Sequence, residues 1–166
     1  MITRLALILL VAVLASCNSS NQKTDKMEDN KNQTNDTSVS ADTTPKVTGI
    51  GGIFFFSDDP QKTKEWYGQN LGIDINDFGS IFESRDINKP DQVNQLVWSP
   101  FKTGSDYFDP SKKEFMINYR VQHIEALVEK LKAKGVTVLD SITTYDYGKF
   151  VHILDPEGNK IELWEP

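Results

Sequence analysis

Between Val47 and Pro166 the chain runs through one order of elements twice, and this repetition narrows the possible folds more than any single motif does. "VTGIGGIFFFS" (47–57) reads as an apolar strand rich in Ile and Phe. "DDPQKTKEWYGQNLG" (58–72) reads as a helix, with Asp58 or Asp59 as N-cap, Pro60 in the first turn and Gly72 at the stop. "IDIND", "SIFESRD" and "VNQLVWSP" follow as short strands between turn residues. After the loop "YFDPSKK" the frame returns. "EFMINYRV" (114–121) is a strand, and "HIEALVEKLKAKG" sets Ile124, Leu127, Val128 and Leu131 at helical spacing before Gly135. "VTVLD", "KFVHIL" and "KIELWE" complete the second set. The sequence thus predicts an α+β fold of paired βαβββ modules. They form a curved mixed sheet with helices on the outside and a concave pocket on the other face. Roughly 120 residues suffice for one core.

The residues before this domain have a different character. Residues 1–16, "MITRLALILLVAVLAS", place Arg4 before an apolar run that is shorter than the roughly 20 residues a bilayer span needs. That is the shape of a secretory signal. "LASC" at 14–17 resembles the bacterial lipobox, which implies lipid modification at Cys17, the chain's single cysteine. Residues 18–46 are polar, rich in Asn, Thr, Ser, Asp and Lys, and lack the apolar surface that offsets chain entropy. They read as a disordered tether with a reach of roughly 30 Å. The expected arrangement is a signal peptide over 1–17, a tether over 18–46 and a domain over 47–166, lipid-anchored through Cys17 to a membrane of the bacterial cell envelope, outside the cytoplasm. A net charge of −6 with no basic cluster argues against a nucleic-acid partner. No glycine-rich phosphate loop, nucleophile elbow or Cys/His zinc spacing is present.

The domain resembles the vicinal oxygen chelate superfamily, the glyoxalase/bleomycin-resistance/dioxygenase group. "GIGGIFFFSDDPQKTKEWYGQNLGI", "FMINYRVQHIEALVEKLKAKGV" and above all "DPEGNKIELWEP" carry the resemblance. It implies a pocket in a concave sheet, often with chains paired as homodimers. In metal-dependent members it implies a divalent ion held by a first-strand His, a His in the strand opening the second module and a last-strand Glu. The Glu maps to Glu162, and the two His positions map to Gly52 and Met116. Glycine offers no ligand and a thioether is soft, so the expectation is no cofactor.

Strand alternation assigns the faces. Lys160, Glu162 and Trp164 share the concave side with Met116, Asn118 and Arg120, and with Gly52, Phe54 and Phe56. "DPEGN" suits a tight hairpin turn that opposes His152 to Glu162. Three readings of that pair stay open: a hydrogen-bonded pair lining a ligand cavity, an acid–base dyad, or a rearranged metal site with Asn118 as third ligand. Arg120 could clamp a ligand carboxylate or pair with Glu162. Trp98 and Phe101, with Tyr107 and Phe108, are candidates for an apolar wall and its lid. His123 reads as an exposed first-turn residue. The expected function is binding of a small anionic or aromatic organic molecule through Asn118, Arg120, Trp164, Phe54, Phe56 and Trp98. The alternative is a lyase or isomerase, with Glu162 as general base assisted by His152.

Overall fold

The computed structural model describes residues 42–166. Cys17, the expected signal peptide and most of the expected tether therefore lie outside the described residues. The described chain contains seven strands and two helices: β1 (Lys46–Ser57), α1 (Pro60–Leu71), β2 (Ser80–Arg85), β3 (Val93–Lys102), β4 (Phe115–Gln122), α2 (Ile124–Ala133), β5 (Thr143–Tyr145), β6 (Gly148–Leu154) and β7 (Lys160–Glu165). A single 3-10 turn, Asp106–Phe108, interrupts the connection from β3 to β4.

All seven strands form one mixed sheet in the order β2-β3-β1-β4-β7-β6-β5. The two module-opening strands, β1 and β4, meet antiparallel at the centre. Each is flanked by a parallel partner from its own module, β3 beside β1 and β7 beside β4. This is the paired arrangement the repeated element order predicts, in an α+β fold.

Local signals account for the helices. Asp59 caps α1 by accepting from the Lys62 amide at 3.1 Å, Pro60 needs no donor there, and Gly72 closes the helix in a left-handed conformation at φ 66°. Helix α2 is stopped locally at Lys134 and Gly135 but started from elsewhere. His123 sits at its N-cap with φ 56° and no side-chain cap of its own. The Glu165 carboxylate, at the end of β7, accepts from the His123 and Ile124 amides instead. A carboxylate there also meets the positive end of the helix dipole. Glu165→Ala is expected to lower stability by about 1 kcal/mol, measured as a shift in urea midpoint at constant slope.

Ile124, Leu127 and Val128 of α2 pack on Val121, Val151, Ile153 and Leu163 of the sheet, forming the larger core cluster. Ile161 and Leu163 thus face the helices, as alternation in β7 predicts.

Two expected strands are not strands. Residues 73–77 run as an irregular segment because Asn76 folds back, its side chain accepting from the Phe78 and Gly79 amides at 2.9 and 3.0 Å. That turn chemistry overrides the alternating Ile73 and Ile75. Residues 136–140 reduce to one bridge, Val138 to Ile153. The strand pairing with β6 is instead Thr143–Tyr145.

Candidate functional site

Glu162 stands at the middle of β7, between Asn118 on β4 and His152 on β6 in the strand registers. The Asp155–Asn159 turn sets that alignment. Asp155 accepts from the Asn159 amide at 2.8 Å and the Glu157 amide at 2.9 Å, and Gly158 takes φ 76°. Leu154 then opposes Lys160 and His152 opposes Glu162.

Glu162 is 3 % exposed, and both of its oxygens are engaged. Oε1 accepts from Asn118 Nδ2 at 2.6 Å. Oε2 accepts from the Tyr107 hydroxyl and lies 3.0 Å from His152 Nε2. The other ring nitrogen of His152 lies 2.6 Å from Asp140 Oδ2, and the His152 amide donates to Asp140 Oδ1 at 2.8 Å. The imidazole is therefore held between two carboxylates.

Burial pulls the His152 pKa down, but the hydrogen bonds to Glu162 and Asp140 outweigh it and the net shift is upward. For Glu162, burial pushes the pKa up, and the bonds from His152, Tyr107 and Asn118 more than reverse this, leaving it below the ordinary carboxylate value. Tyr107 is pushed well above its usual value by burial and by the Glu162 charge, so its phenol remains a donor. Both shifts favour the imidazolium form of His152 between the two carboxylates.

Tyr107 belongs to the connection between β3 and β4, which crosses the sheet face opposite the helices. Phe108 is 1 % exposed and stacks on Phe56 at 4.3 Å. It forms a second core cluster with Phe54 and Met116, with Phe101 packed against it. The Tyr107 ring stacks on Phe101 at 5.1 Å, and Lys160 Nζ donates to the Tyr107 carbonyl at 2.6 Å. This half of the face is roofed by the protein's own side chains. Two cavities, of about 460 and 310 Å³, are lined elsewhere and touch neither Glu162, Asn118 nor Arg120.

The candidate residues divide as follows. Glu162, His152 and Asn118 are in direct contact. Phe54 and Phe56 lie on the same face but inside the aromatic cluster. Trp98 is on the other face: β3 pairs Trp98 with Ile53, and the indole packs on Phe55 and on Tyr67 of α1. The parallel register makes Val97, opposite Gly52, the residue on the Glu162 side.

Met116 is opposed to Phe54 and fully buried, whereas Asn118 is opposed to Gly52 and adjoins Glu162. The second-module position next to Gly52 and Glu162 is therefore Asn118, not Met116. Arg120 does not pair with Glu162. One register step further on, it lies beside Trp164 and donates to the Gln95 carbonyl at 3.2 Å. It has no carboxylate within ion-pair distance among the described residues. Its Nε and the Asn118 Oδ1 are buried without hydrogen-bond partners. Burial lowers the Arg120 pKa, with Asp86 offsetting part of the effect.

Asp140 and Tyr107 escaped the sequence reading as partners of the dyad. The histidine's second carboxylate follows an irregular segment, and the hydroxyl on Glu162 comes from 55 positions away.

The donor set does not suit a divalent ion. No group of three His, Cys, Asp or Glu side chains is placed to hold one among the described residues. Both Glu162 oxygens and both His152 nitrogens are committed to protein partners. A Cβ built at Gly51, inside the shift of the β1–β4 register, would strike Asn118 Oδ1, so a side chain there would displace Asn118.

A family model described as Glyoxalase/Bleomycin resistance protein/Dioxygenase superfamily matches residues 49–163. Among solved structures, a Streptomyces coelicolor methylmalonyl-CoA epimerase in complex with 2-nitronate-propionyl-CoA aligns at a TM-score of 0.54 and 16% identity, covering 72% of this chain and 98% of that one. A superfamily member from Vibrio splendidus 12B01 aligns at 0.45 and 12% identity, covering 74% and 100%. The curated proteins contain no match.

Proposed function

This chain belongs to the glyoxalase/bleomycin resistance/dioxygenase superfamily, and from that premise we propose that it binds a small organic molecule on the sheet face opposite its helices, without a metal ion. The observation carrying the proposal is the closed bonding of Glu162. Oε1 is held by one protein donor and Oε2 has two protein partners, so an ion there would have to displace or crowd partners already in place. A structural neighbour with a TM-score above 0.5 is a methylmalonyl-CoA epimerase in complex with 2-nitronate-propionyl-CoA, and at 16% identity it speaks to fold alone.

The proposal extends to location. Cys17 would be lipidated and residues 18–46 would hold the domain off a membrane of the cell envelope. No helix among the described residues is long and apolar enough to cross a membrane. Two copies pairing through their sheet edges are compatible with this reading.

A second reading is a lyase or isomerase, which the Asp140–His152–Glu162 chain favours, since an imidazole on a buried carboxylate can move a proton. The shift directions count against it as the first choice. Glu162 is the weaker base for its lowered pKa, and the raised pKa of His152 favours its protonated form, which cannot accept a proton.

Thermal shift of the full chain against small organic acids and divalent ions tests both. Ligand at 100 times its Kd raises stability by about 2.7 kcal/mol. Organic compounds are expected to raise Tm in the wild type, and divalent ions are not. A rise with zinc or manganese that Glu162→Gln abolishes would overturn the metal-free reading. For the anchor, uptake of a labelled fatty acid is expected to vanish in Cys17→Ala, and persistence of label would remove Cys17 from the proposal.

A further inference from the structure

Resting on the small-molecule reading above, we propose a definite ligand class and position: a planar aromatic carboxylate, its ring laid on Trp164 and Phe150 and its carboxylate at Arg120. The Trp164 indole lies flat because glycines flank it. A Cβ at Gly51 would come within 2.8 Å of its Cε3, and one at Gly148 would strike its Nε1. Its N–H donates to the Tyr147 carbonyl at 3.0 Å, which fixes the ring in plane.

Phe150 opposes Trp164 in the β6–β7 ladder, and the two rings lie 12° from parallel with centroids 6.2 Å apart. Tyr145 and Tyr147 stack on one another at 5.2 Å and stand at 65° and 66° to Phe150, making a raised edge. The two residues are 50% and 62% exposed. Four contiguous aromatic rings, two of them open to solvent, form a surface suited to a flat ring system.

At the other end of this surface Arg120 is the register partner of Trp164. It is 8 % exposed, with Nε unpaired and one bond to a neutral carbonyl. A buried guanidinium with no carboxylate in ion-pair contact is costly, and a ligand carboxylate supplies two parallel acceptors. The opposite half of the face is roofed by Tyr107 and Phe108.

Calorimetric titration of the full chain with 2-naphthoate, cyclohexanecarboxylate and naphthalene-2-methanol separates the terms. 2-Naphthoate is expected to bind at least tenfold tighter than either control, because one lacks the flat ring and the other the charge. Arg120→Gln should bring 2-naphthoate down to the affinity of the alcohol. Tyr147→Ala, at an exposed position that spares the fold, should weaken both naphthalene compounds severalfold. Equal binding of cyclohexanecarboxylate, or an Arg120→Gln variant with unchanged 2-naphthoate affinity, would overturn the assignment. So would silence with 2-naphthoate when the thermal-shift panel finds another organic ligand, and that result would leave the small-molecule reading intact.

Discussion

Phe108→Ala is expected to lower the stability of the domain by about 3–5 kcal/mol. The ring is 1 % exposed and touches the rings of Phe56 and Phe101, at centroid distances of 4.3 and 5.4 Å. Its removal leaves a cavity whose walls belong to β1, β3 and β4, which are tied together by the central ladders and cannot collapse inward. The loss should also free Tyr107, the next residue, from its place over Glu162. Urea unfolding gives the stability. Phe108→Leu, which keeps most of the volume, should recover more than half of it. A loss below about 1 kcal/mol for alanine would mean that the β3–β4 connection is not packed on the sheet.

The second large effect concerns pH. His152 has a raised folded pKa, so its ion pairs with Glu162 and Asp140 contribute fully below the unfolded value of about 6.5. That contribution is lost as pH rises through the folded value. Glu162 has the opposite sense: its contribution is present above its unfolded pKa and is lost as pH falls through the depressed folded value. Lys160, also close to both carboxylates, has its pKa lowered by burial and thus its charge weakened at high pH. Stability is therefore expected to peak between about pH 4.5 and 6.5 and to decline towards pH 9. His152→Gln, which keeps a donor but cannot charge, should flatten the alkaline decline. At pH 6 it should cost about 3 kcal/mol, and distinctly less at pH 9. Urea midpoints across pH 5–9 for both proteins check this. Parallel profiles would mean that His152 is not the titrating group.

The sequence carried the architecture because its signals are local. Caps, glycines and the apolar strands fix the elements, and the Asp155–Asn159 turn fixes which residues of β6 and β7 oppose one another. From that single register the adjacency of His152 and Glu162 follows. What it did not carry depends on pairing between distant strands. Trp98 looked like a wall of the site because aromatics cluster around it, but its face is set by the parallel alignment with Ile53. Arg120 and Glu162 looked like natural partners by charge, yet the β4–β7 register puts Asn118 against the carboxylate and leaves Arg120 a step away. Tyr107 could be named as a lid residue, but no periodicity links it to Glu162.

The skeleton of this domain is nearly two-fold, with β1 and β4 exchanging roles about the centre of the sheet. Its chemistry is one-sided. Asn118, Arg120, His152 and Glu162 all come from the second module, while the matching strands of the first bring Gly52 and Val97 to the face. A molecule settling there meets no equivalent pair of orientations. On the proposed reading its polar end would turn towards Arg120 of β4 and its ring towards Trp164 and Phe150, a direction as well as a shape.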